Sequence, residues 1–388
     1  MRDAQLDTDD WSQLVERLGG EASLALSARA HKAFVRARGI RSAADVLRLA
    51  LMYGPLGHSL RSLAATAAVS GLANVSDVAV MDRIRKSADW LQSLCRDRLA
   101  VVAQQIGVAA PERPIRIVDG SRLEGPGDRA WRLHLCIDAA LARIVDAVIT
   151  TTREGERLDR LAVTAGEIRL GDRGFPQPDG IRNALASGAD VLVRLTWNSL
   201  QLTVDGKPID WIKLFEQACE QGSLDIQVRL YKAHSSRFEP LDMRLVIVQK
   251  PPLAAEKTRL KARRASRKNR RHTDPRTLAG AGYLILLTSL KPEPFPRAQI
   301  VALYRLRWQI ELAIKRLKSI LHIDRLPAKD PDLVRAWLHA HLLFALLLDD
   351  IAAPAAFSPS PSGCATTLAL AQDHSSRRRT PRRHLAAA

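Results

Sequence analysis

Hydrophobic positions follow two different spacings along the chain. In residues 1–110 apolar side chains recur every three or four positions, and Gly or Pro falls mainly at breaks such as YGPLGHS at 53–59. This spacing is typical of helices. From residue 113 onwards the apolar runs are shorter and alternate with polar residues, which is typical of strands. The pattern therefore predicts an all-helical N-terminal region followed by a sheet-containing region.

The sheet-containing region begins with recognisable strand patterns. Three strand-like runs, IRIVDG, RLHLCIDA and ARIVDAVITT, lie between residues 115 and 151. RLDRLAVTA, at 157–165, has helical spacing, and EIRLGDRGF, at 167–175, is again strand-like. This order predicts a mixed sheet in an α/β domain. Further strands are expected in DVLVRLTW, DIQVRLYKA and DMRLVIVQK, at 190–197, 225–233 and 242–250.

One uninterrupted amphipathic helix is predicted for YRLRWQIELAIKRLK, which spans 304–318 without Gly or Pro. At about 100° per residue, an apolar stripe runs beside a polar stripe that contains a single acid. The apolar stripe consists of Leu303, Leu306, Ile310, Ala313, Ile314 and Leu317, and the polar stripe of Tyr304, Arg307, Glu311, Lys315 and Lys318. A further, apolar helix is predicted at 333–351.

Two interpretations of the polar stripe stay open. In the first, Glu311 forms i,i+4 ion pairs with Arg307 and Lys315 on a solvated face, each contributing a few tenths of a kcal/mol. In the second, Glu311 lies at the edge of a cleft beside cations and the Tyr304 hydroxyl. Such a set suits a metal ion and a row of phosphates.

A helix-turn-helix pattern is present in the N-terminal region. One helix begins at Leu60, Gly71 marks a break, and a second helix begins after Ser76, a good N-cap residue. The second helix carries three cations, Arg83, Arg85 and Lys86, which suit contact with a DNA backbone. A tight corner between two packed helices explains the same pattern, so both interpretations stay open.

Composition favours a polyanionic partner. The 388 residues include 59 Lys and Arg against 41 Asp and Glu, which gives a net charge of +18. Nucleic acid is the leading candidate. The longest apolar run, LLFALLL at 342–348, is far too short for a membrane span, so no membrane partner is expected. At 46% hydrophobic residues the chain can bury a large core in two or three domains.

The compartment is predicted from the N-terminus and the cysteines. The start, MRDAQLDTDDW, is polar and acidic, unlike a signal peptide. The four cysteines, Cys95, Cys136, Cys219 and Cys364, are scattered without a CxxC pair, and this spacing suggests neither a zinc site nor a disulfide framework. A reducing cytoplasm fits these features best.

Two acids occupy equivalent positions at the ends of strand-like runs. Asp119 in IRIVDG and Asp172 in IRLGDRG each alternate with apolar neighbours, so each points to the same side as the buried residues. A carboxylate there needs a cation or hydrogen bonds. Gly120 and Gly174 follow, so a ligand or a second backbone can approach. Asp-Gly also simply begins turns, but two such acids together with Glu311 favour a functional interpretation.

These residues resemble the signature of the DDE transposases of the insertion-sequence-four family. Asp119 lies in VDGS, Asp172 in GDRGF, and the helix carries Y-x2-R-x3-E-x6-K at Tyr304, Arg307, Glu311 and Lys318. The resemblance spans residues 45 to 350. It implies an RNase H-like mixed-sheet core, interrupted by a β-rich insertion and preceded by a helical DNA-binding region. The boundaries are 1–110 for the helical region, 111–195 and 299–352 for the core and 196–298 for the insertion. The tail, 353–388, is rich in Ser, Pro, Ala and Arg and is predicted to be disordered from its composition. It does not resemble the helical end expected in this family, which puts dimer contacts and the activity of this copy in question.

The resemblance also implies the chemistry. Asp119, Asp172 and Glu311 would hold two Mg²⁺ ions, for which Mn²⁺ can substitute, and these ions clamp the attacking and leaving oxygens of a phosphodiester. Water would cut the end of a mobile element, and the freed 3′-hydroxyl would then attack the opposite strand or target DNA. Tyr304, Arg307 and Lys318 would hold phosphates near the cut. Lys315 shares their stripe, and Trp308 is a candidate for stacking on a displaced base.

Further DNA contacts are expected in the segment 256–272, which has nine Lys or Arg between 257 and 271. It forms either a basic helix or a flexible arm, and Arg263, Arg264 and Arg267 are its candidate contacts. The expected partners are the inverted repeats at the element's ends, target DNA and a second copy of the chain, in the nucleoid of a bacterial cytoplasm. The alternative function is a non-catalytic DNA-binding protein, or an inactive transposase copy that acts as a repressor.

Other acids and histidines compete less well for the metal. Asp138 in LCIDA and Asp146 in RIVDAV have less distinctive flanks, and Asp138 is at most a supporting residue behind the metal ligands. His134 alternates into the same strand as Cys136, where a core or hydrogen-bonded role is expected rather than metal ligation.

Overall fold

The computed structural model describes residues 8–109, 113–126, 130–233, 235, 237–270, 272–323 and 326–356. Contacts divide the chain into two compact units, Met1–Leu346 and Leu347–Ala388. Most of the predicted tail, 357–388, lies outside the described residues. Residues 353–356 continue the last helix, which therefore extends beyond its predicted end.

The described part of the N-terminal region contains six helices, α1 Thr8–Arg17, α2 Gly20–Ala30, α3 Ala43–Tyr53, α4 Leu60–Val69, α5 Asp77–Lys86 and α6 Ala88–Ala109. Side chains cap several of them. Ser42 and Asp45 form a reciprocal capping box on α3, and Ser76 accepts a hydrogen bond from the Ala79 N–H on α5. Gly71 lies between α4 and α5 with φ of 69°, which favours glycine. The helices α4 and α5 therefore begin where the sequence predicts, at Leu60 and directly after Ser76.

Ten strands form one mixed sheet, which confirms the predicted α/β class. The first five are β1 Ile115–Glu124, β2 Ala130–Asp138, β3 Arg143–Thr151, β4 Ile168–Gly171 and β5 Asp190–Arg194. The others are β6 Gln201–Val204, β7 Lys207–Pro208, β8 Ser223–Tyr231, β9 Leu241–Gln249 and β10 Tyr283–Thr288. The order across the sheet is β3-β2-β1-β4-β5-β10-β9-β8-β6-β7.

Strand directions change twice across this sheet, from antiparallel to parallel and back to antiparallel. β1, β2 and β3 are antiparallel neighbours, whereas β1, β4 and β5 are parallel. β10 then pairs with β5 and β9 in antiparallel fashion, with Leu287 opposite Val193 on β5. The strands predicted for the insertion therefore extend the same sheet. Buried residues from Val118 on β1 to Ile247 on β9 share one apolar cluster.

Seven helices complete the described chain, α7 Pro178–Ala186, α8 Trp211–Glu220, α9 Pro252–Lys268, α10 Pro275–Gly280, α11 Arg297–Arg305, α12 Trp308–Ile320 and α13 Pro331–Ala356. Among the described residues, α13 is the one helix long and apolar enough to cross a membrane, over Pro331–Ile351. Of the most apolar stretch of α13, 72% is buried within the protein. The core helix of a globular protein is equally long, apolar and buried.

The helix predicted at 157–165 is wrong, because this segment forms turns. Its carbonyl groups bind a side chain instead of closing a helical ladder. The fully buried Arg169 guanidinium donates to the carbonyl oxygens of Leu158 at 2.6 Å and Leu161 at 3.0 Å, and also to that of Ala162. The helical spacing of this segment therefore indicates only which side chains are buried. The hydrogen bonds from Arg169 determine the backbone conformation instead.

The single helix predicted over 304–318 is also wrong, because α11 ends at Arg305 and α12 begins at Trp308. Between them the backbone N–H groups of Leu306 and Arg307 bond to carbonyls three residues earlier, at 3.0 and 3.1 Å. Both residues keep right-handed helical dihedral angles, so the turn tightens without reversing direction. Tyr304 before the break and Ile310 after it are both buried. The break contains no Gly or Pro, so it coincides with tertiary packing on both sides and not with a helix-breaking residue.

Candidate active site

Asp119 lies within β1, and Asp172 directly follows the adjacent parallel strand β4. β1 and β4 are in register at Ile117 and Leu170, so the two aspartates, each two residues further on, reach the same level of the sheet. Asp119 Oδ1 accepts a hydrogen bond from the Gly120 N–H at 2.8 Å, and Asp172 Oδ1 accepts one from the Gly174 N–H at 2.8 Å. The fold therefore brings the two predicted acids to the same level of the sheet. Asp172 follows the end of β4 as predicted, whereas the predicted strand end at Asp119 is wrong, because β1 continues to Glu124 and pairs there with β2.

A third carboxylate, that of Glu156, lies beside these aspartates and is not among the predicted site residues. A Cβ atom added to Gly174 would lie 2.0 Å from Glu156 Oε2 and 3.5 Å from Asp172 Oδ1. A Cβ atom on Gly120 would lie 2.7 Å from Glu156 Cγ. The space that the two glycines leave open is thus occupied by a side chain of the same protein. In the sequence, only Gly120 and Gly174 indicate that another group comes close to the two aspartates.

Burial and nearby negative charges raise the pKa values of Asp119 and Glu156. Desolvation raises the pKa of Asp119 to about 6, and the nearby negative charges of Asp172 and Glu156 act in the same direction. Desolvation also raises the pKa of Glu156, with a further contribution from Asp172, although Arg132 at 3.3 Å opposes it. The negative charges of Asp172 and Glu156 thus make ionisation of Asp119 less favourable, and a bound cation would offset this effect.

Glu311 approaches the same corner from α12. The Arg307 guanidinium donates a hydrogen bond to Glu311 Oε1 and lies 3.9 Å from Asp119 Oδ2. Arg307 therefore links the strand acid to the helix acid. Asp119 and Glu311 also face one cleft of about 490 Å³, which is lined by Asp119, Gly120, Ser121, Glu311, Ile314, Lys315, Lys318 and Ser319. The cleft-edge interpretation of the polar stripe agrees with this geometry, although the Arg307–Glu311 pair is present as well.

The donor set suits a hard divalent cation, because carboxylate oxygens are the ligands that Mg²⁺ and Mn²⁺ prefer. Within the described ranges, however, no three His, Cys, Asp or Glu side chains are already arranged around one ion position. Glu311 is 56% exposed and is held by Arg307. Asp119 and Glu311 therefore line one cleft, with the Arg307 guanidinium between them.

The Tyr304 hydroxyl is buried and makes no hydrogen bond of good geometry, although Arg194 and Arg307 lie near it. Burial raises the pKa of Tyr304, so this hydroxyl keeps its proton and can donate to an anion. Trp308, the predicted stacking residue, is 54% exposed. Lys315 and Lys318 line the cleft that Asp119 and Glu311 face.

A group of cations that the sequence did not indicate lies near Asp172. Burial lowers the pKa of Lys250 to about 8, and the positive charges of Arg194, Arg173 and Arg259 lower it further. The pKa of Arg173 is lowered mainly by burial and by Arg194. Lys250 Nζ donates to the Ala281 carbonyl at 2.8 Å. Crowded cations of this kind are typical of a surface that receives a polyanion.

The basic segment 256–272 forms a helix over most of its length, α9, instead of a flexible arm. Among the described residues of α9, Ala255 is the one that is buried, and Arg263, Arg264 and Arg267 are exposed. Its cations are thus directed mainly to solvent. Arg259, which contributes to the positive field at Lys250, connects this surface to the cations near Asp172.

The cations of the helix-turn-helix region have more internal contacts than the sequence suggests. Arg83 donates to the Ala33 carbonyl at 3.2 Å and lies over the Phe34 ring at 5.8 Å. Arg85 pairs with Asp82 at 3.1 Å and with Asp330 at 3.7 Å. Lys86 is exposed. Arg83 and Arg85 thus stabilise contacts within the chain, whatever they do towards DNA.

The competing acids have structural partners. Asp138 is almost fully buried, pairs with Arg116 and accepts a hydrogen bond from the Leu141 N–H at 2.9 Å. Asp146 accepts from the N–H groups of Ala147 and Ala162, at 2.8 and 2.9 Å. His134 is buried and hydrogen-bonded to Thr150 Oγ1 at 2.9 Å, and burial lowers its pKa to about 4. The predicted hydrogen-bonded role of His134 is confirmed.

Comparison with known proteins agrees with the acids and the mixed sheet. Residues 110–348 match the family model described as a transposase DDE domain. The chain belongs to this family of DDE transposases. It is 41% identical over 364 residues to the putative transposase InsL for insertion sequence element IS186A of Escherichia coli strain K12, covering 92% of this chain and 97% of that protein. It is 40% identical over 365 residues to the transposase for insertion sequence element IS421 of Escherichia coli, with the same coverage.

The family and these relatives define the protein as a DNA transposase of an insertion sequence, an enzyme that acts on DNA. Dependence on a divalent metal is a general property of the family.

Proposed function

We propose that Asp119, Asp172 and Glu311 are the catalytic acids of this transposase and that they hold two Mg²⁺ ions, which Mn²⁺ can replace. The observation that carries the proposal is the Arg307 guanidinium, which bridges Asp119 and Glu311 across one cleft. A guanidinium that joins two acids from distant parts of the chain marks a position where positive charge is stabilised. When bound, the ions supply charge stabilisation for the attacking and leaving oxygens of a phosphodiester.

The chain's own residues position the DNA. Lys315 and Lys318 line the cleft beside the acids and hold phosphates on either side of the bond that is cut. The buried Tyr304 hydroxyl donates a hydrogen bond to a phosphate oxygen near it. Arg307 exchanges Glu311 for a phosphate, which releases the acid towards the strand aspartates. Trp308 stacks on a displaced base.

Two phosphoryl transfers follow from this arrangement. A water molecule attacks the phosphodiester at the element's end, and the 3′-oxygen leaves with a proton as a hydroxyl group. That hydroxyl group then attacks a second phosphodiester in the opposite strand or in target DNA, forming a new phosphodiester bond and displacing the 3′-oxygen of the attacked strand, which leaves as a hydroxyl group. No covalent intermediate with the protein is needed, because each attacking group is a hydroxyl that the site only has to orient and deprotonate.

The fold supports an RNase H-like catalytic core. The antiparallel β1-β2-β3 unit continues into parallel β4 and β5, and Asp119 and Asp172 lie at neighbouring strand positions within it. We assign residues 111–195 and 299–352 to this core, 196–298 to the insertion and 1–110 to a helical DNA-binding region. Within that region Arg83, Arg85 and Lys86 meet DNA backbone, and α9 contributes Arg263, Arg264 and Arg267.

The active complex is proposed to be a homodimer that holds both inverted repeats of the element and then target DNA, in the nucleoid of a bacterial cytoplasm. The net charge of +18 suits this partner. The exposed basic helix α9 is available to contact the end held by the other copy.

End cleavage tests the catalytic assignment. The substrate is a labelled duplex that carries the terminal inverted repeat from the DNA flanking the gene, incubated with Mg²⁺ or with chelator. Asp119→Asn, Asp172→Asn and Glu311→Gln are each expected to bind this duplex and cut none of it. Glu124→Gln, at the exposed end of the same strand β1, is the control and should cut like the parent. A parent that binds without cutting would favour a repressor, and cutting by any of the three variants would remove that acid from the set.

A further inference from the structure

We propose that a basic loop between α2 and α3, residues 32–41, binds the phosphate backbone of the duplex at the element's end and thereby holds the start of α5 against the base pairs. This inference rests on the proposed function, because it takes the helical N-terminal region as a part of the chain that binds this duplex. It goes beyond that proposal, in which the backbone contacts of the region come from α5 alone.

The basic loop concentrates exposed positive charge. Its sequence, KAFVRARGIR, contains four cations and no acid. The four cations, Lys32, Arg36, Arg38 and Arg41, are all exposed. None of them forms an ion pair with a carboxylate among the residues that the structure describes. Positive charge that is exposed and not neutralised within the protein is available to the phosphates of DNA.

The start of the basic loop is fixed against α5. Ala33 is fully buried, and its N–H donates to the Ala28 carbonyl at 2.9 Å. The Arg83 guanidinium on α5 donates to the Ala33 carbonyl at 3.2 Å and lies 5.8 Å from the centre of the Phe34 ring. Arg83 therefore holds the first residues of the loop beside the second half of α5.

The end of the basic loop is fixed at the turn that precedes α5. Ile40 is buried and forms a β-bridge with Ala73, and the Asn74 N–H donates to the Gly39 carbonyl at 3.3 Å. Gly39 has a φ of 69°, and a Cβ atom added to it would lie 2.5 Å from Val75 Cγ1. Backbone conformation and close approach both require glycine at this position.

The two fixed ends make the basic loop run beside α5, from its second half to the turn before it. Arg36 and Arg38 lie between these ends. At the start of α5, Val78 is 60% exposed and Ala79 is also exposed. In a helix-turn-helix the first residues of the second helix face base edges in the major groove, where apolar side chains contact thymine methyl groups.

A DNA duplex accounts for both parts of this surface. Phosphate contacts fix the orientation and register of a protein on a duplex, whereas base contacts supply sequence preference. The unpaired cations of the basic loop are suited to the first role, and Val78 is suited to the second. Because the loop is held at both ends, its cations reach the backbone without the cost of ordering a free arm.

Fluorescence anisotropy of the full chain with a labelled duplex that carries the terminal inverted repeat, at several salt concentrations, tests the backbone contacts. Arg36→Gln/Arg38→Gln is expected to weaken binding by about tenfold or more and to reduce the slope of log K against log salt by up to about 1.8, at about 0.9 per lost phosphate contact. Arg36→Lys/Arg38→Lys keeps the charge and should restore most of the affinity. Lys207→Gln/Lys213→Gln removes two exposed cations elsewhere and, as the matched control, should bind like the parent.

The preference for the repeat over a scrambled duplex tests the contribution of α5. Val78→Ser should lower this preference several-fold, whereas Arg36→Gln/Arg38→Gln should weaken binding to both duplexes alike. Leu26→Ser, which changes an exposed apolar residue on α2, is the control and should keep the preference of the parent. An unchanged preference in Val78→Ser would contradict the placement of α5 on base edges.

Photo-crosslinking tests the position of the basic loop without removing any charge. A p-benzoylphenylalanine in place of Ala37, which is exposed between the two arginines, should crosslink to the labelled duplex. The same group in place of the exposed Ile212 on α8 is the control and should not. A duplex that is bound by the protein but does not crosslink from position 37 would overturn the inference.

The parent protein separates failure of this inference from failure of the proposed function. If the parent binds and cuts the end duplex, and Arg36→Gln/Arg38→Gln binds it within about twofold of the parent with the same salt slope, the inference is wrong and the proposed function stands. Weaker binding with an unchanged salt slope and a lower melting temperature would show that the basic loop acts through folding, and would also overturn it. If the parent binds neither duplex, the proposed function itself is wrong.

Discussion

The Arg307 guanidinium is hydrogen-bonded to Glu311 and lies 3.9 Å from the Asp119 carboxylate. One residue thus connects an acid on strand β1 to an acid on helix α12, two elements far apart in the sequence. Arg307 places positive charge between these two acids. On the proposed function, this is charge that a bound metal would otherwise supply.

Removal of Arg307 should change metal binding and DNA binding in opposite directions. In Arg307→Gln the negative charge at Asp119 and Glu311 is no longer neutralised, so Mn²⁺ binding to the DNA-free protein should become several-fold tighter. End binding and cutting should fall, because a proposed phosphate contact is lost. Arg305→Gln, an exposed cation on the neighbouring turn of α11, is the control. Weaker Mn²⁺ binding in Arg307→Gln would contradict this explanation.

The stability of the metal-free protein should depend on the protonation of Asp119. The folded-state pKa of Asp119, about 6, lies above the usual value of 3.8. Protonated Asp119 therefore contributes to the free energy of unfolding, and this contribution is fully present below about pH 4 and is lost as the pH rises through about 6. Relative to Asp119→Asn, the parent should lose up to about 3 kcal/mol of the free energy of unfolding between those limits, at about 1.36 kcal/mol per pKa unit. Urea unfolding in chelator at a series of pH values measures this difference. Parallel pH profiles for the parent and Asp119→Asn would show that Asp119 has an ordinary pKa.

DNA binding should weaken as Lys250 loses its proton. Burial and the surrounding guanidinium groups lower its pKa to about 8, so the free protein carries a partly neutral Lys250 above that pH. If DNA phosphates approach this cluster, binding restores the proton, and affinity falls as pH rises through about 8, by at most about tenfold per pH unit. Lys250→Arg stays charged and should lose this pH dependence. Fluorescence anisotropy with a labelled duplex at constant ionic strength measures it, and an unchanged profile in Lys250→Arg would place the DNA elsewhere.

The helix α9 should contribute to DNA affinity without contributing to sequence preference. Replacing Arg263, Arg264 and Arg267 together by Gln should weaken binding to all duplexes alike and reduce the slope of log K against log salt by up to about 0.9 per lost phosphate contact. These side chains are exposed, so the melting temperature should stay the same. The double variant of the exposed Lys207 and Lys213 is a control of similar charge. An unchanged salt slope with weaker binding would mean that α9 acts through folding.

Much of this protein is predictable from the chain alone. Strand spacing identifies β1, β4, β8 and β9, and serine caps with a glycine break locate α4 and α5, because alternation, helical spacing and capping are local properties. The DDE signature around Asp119, Asp172 and Glu311 is recognisable for the same reason, since each motif lies within a few residues. Together with the net charge, these motifs are enough to indicate a DNA transposase.

Other features depend on contacts between distant residues, which no local pattern contains. Arg169 binds carbonyl groups of 158–162 and converts a helical pattern into turns. β10 pairs with β5 and joins the later strands to the first sheet. Glu156 lies beside Asp119 and Asp172 only because parallel pairing of β1 and β4 brings Gly120 and Gly174 around it. Sequence spacing reports which residues face the core, whereas packing alone decides which charged side chains meet there.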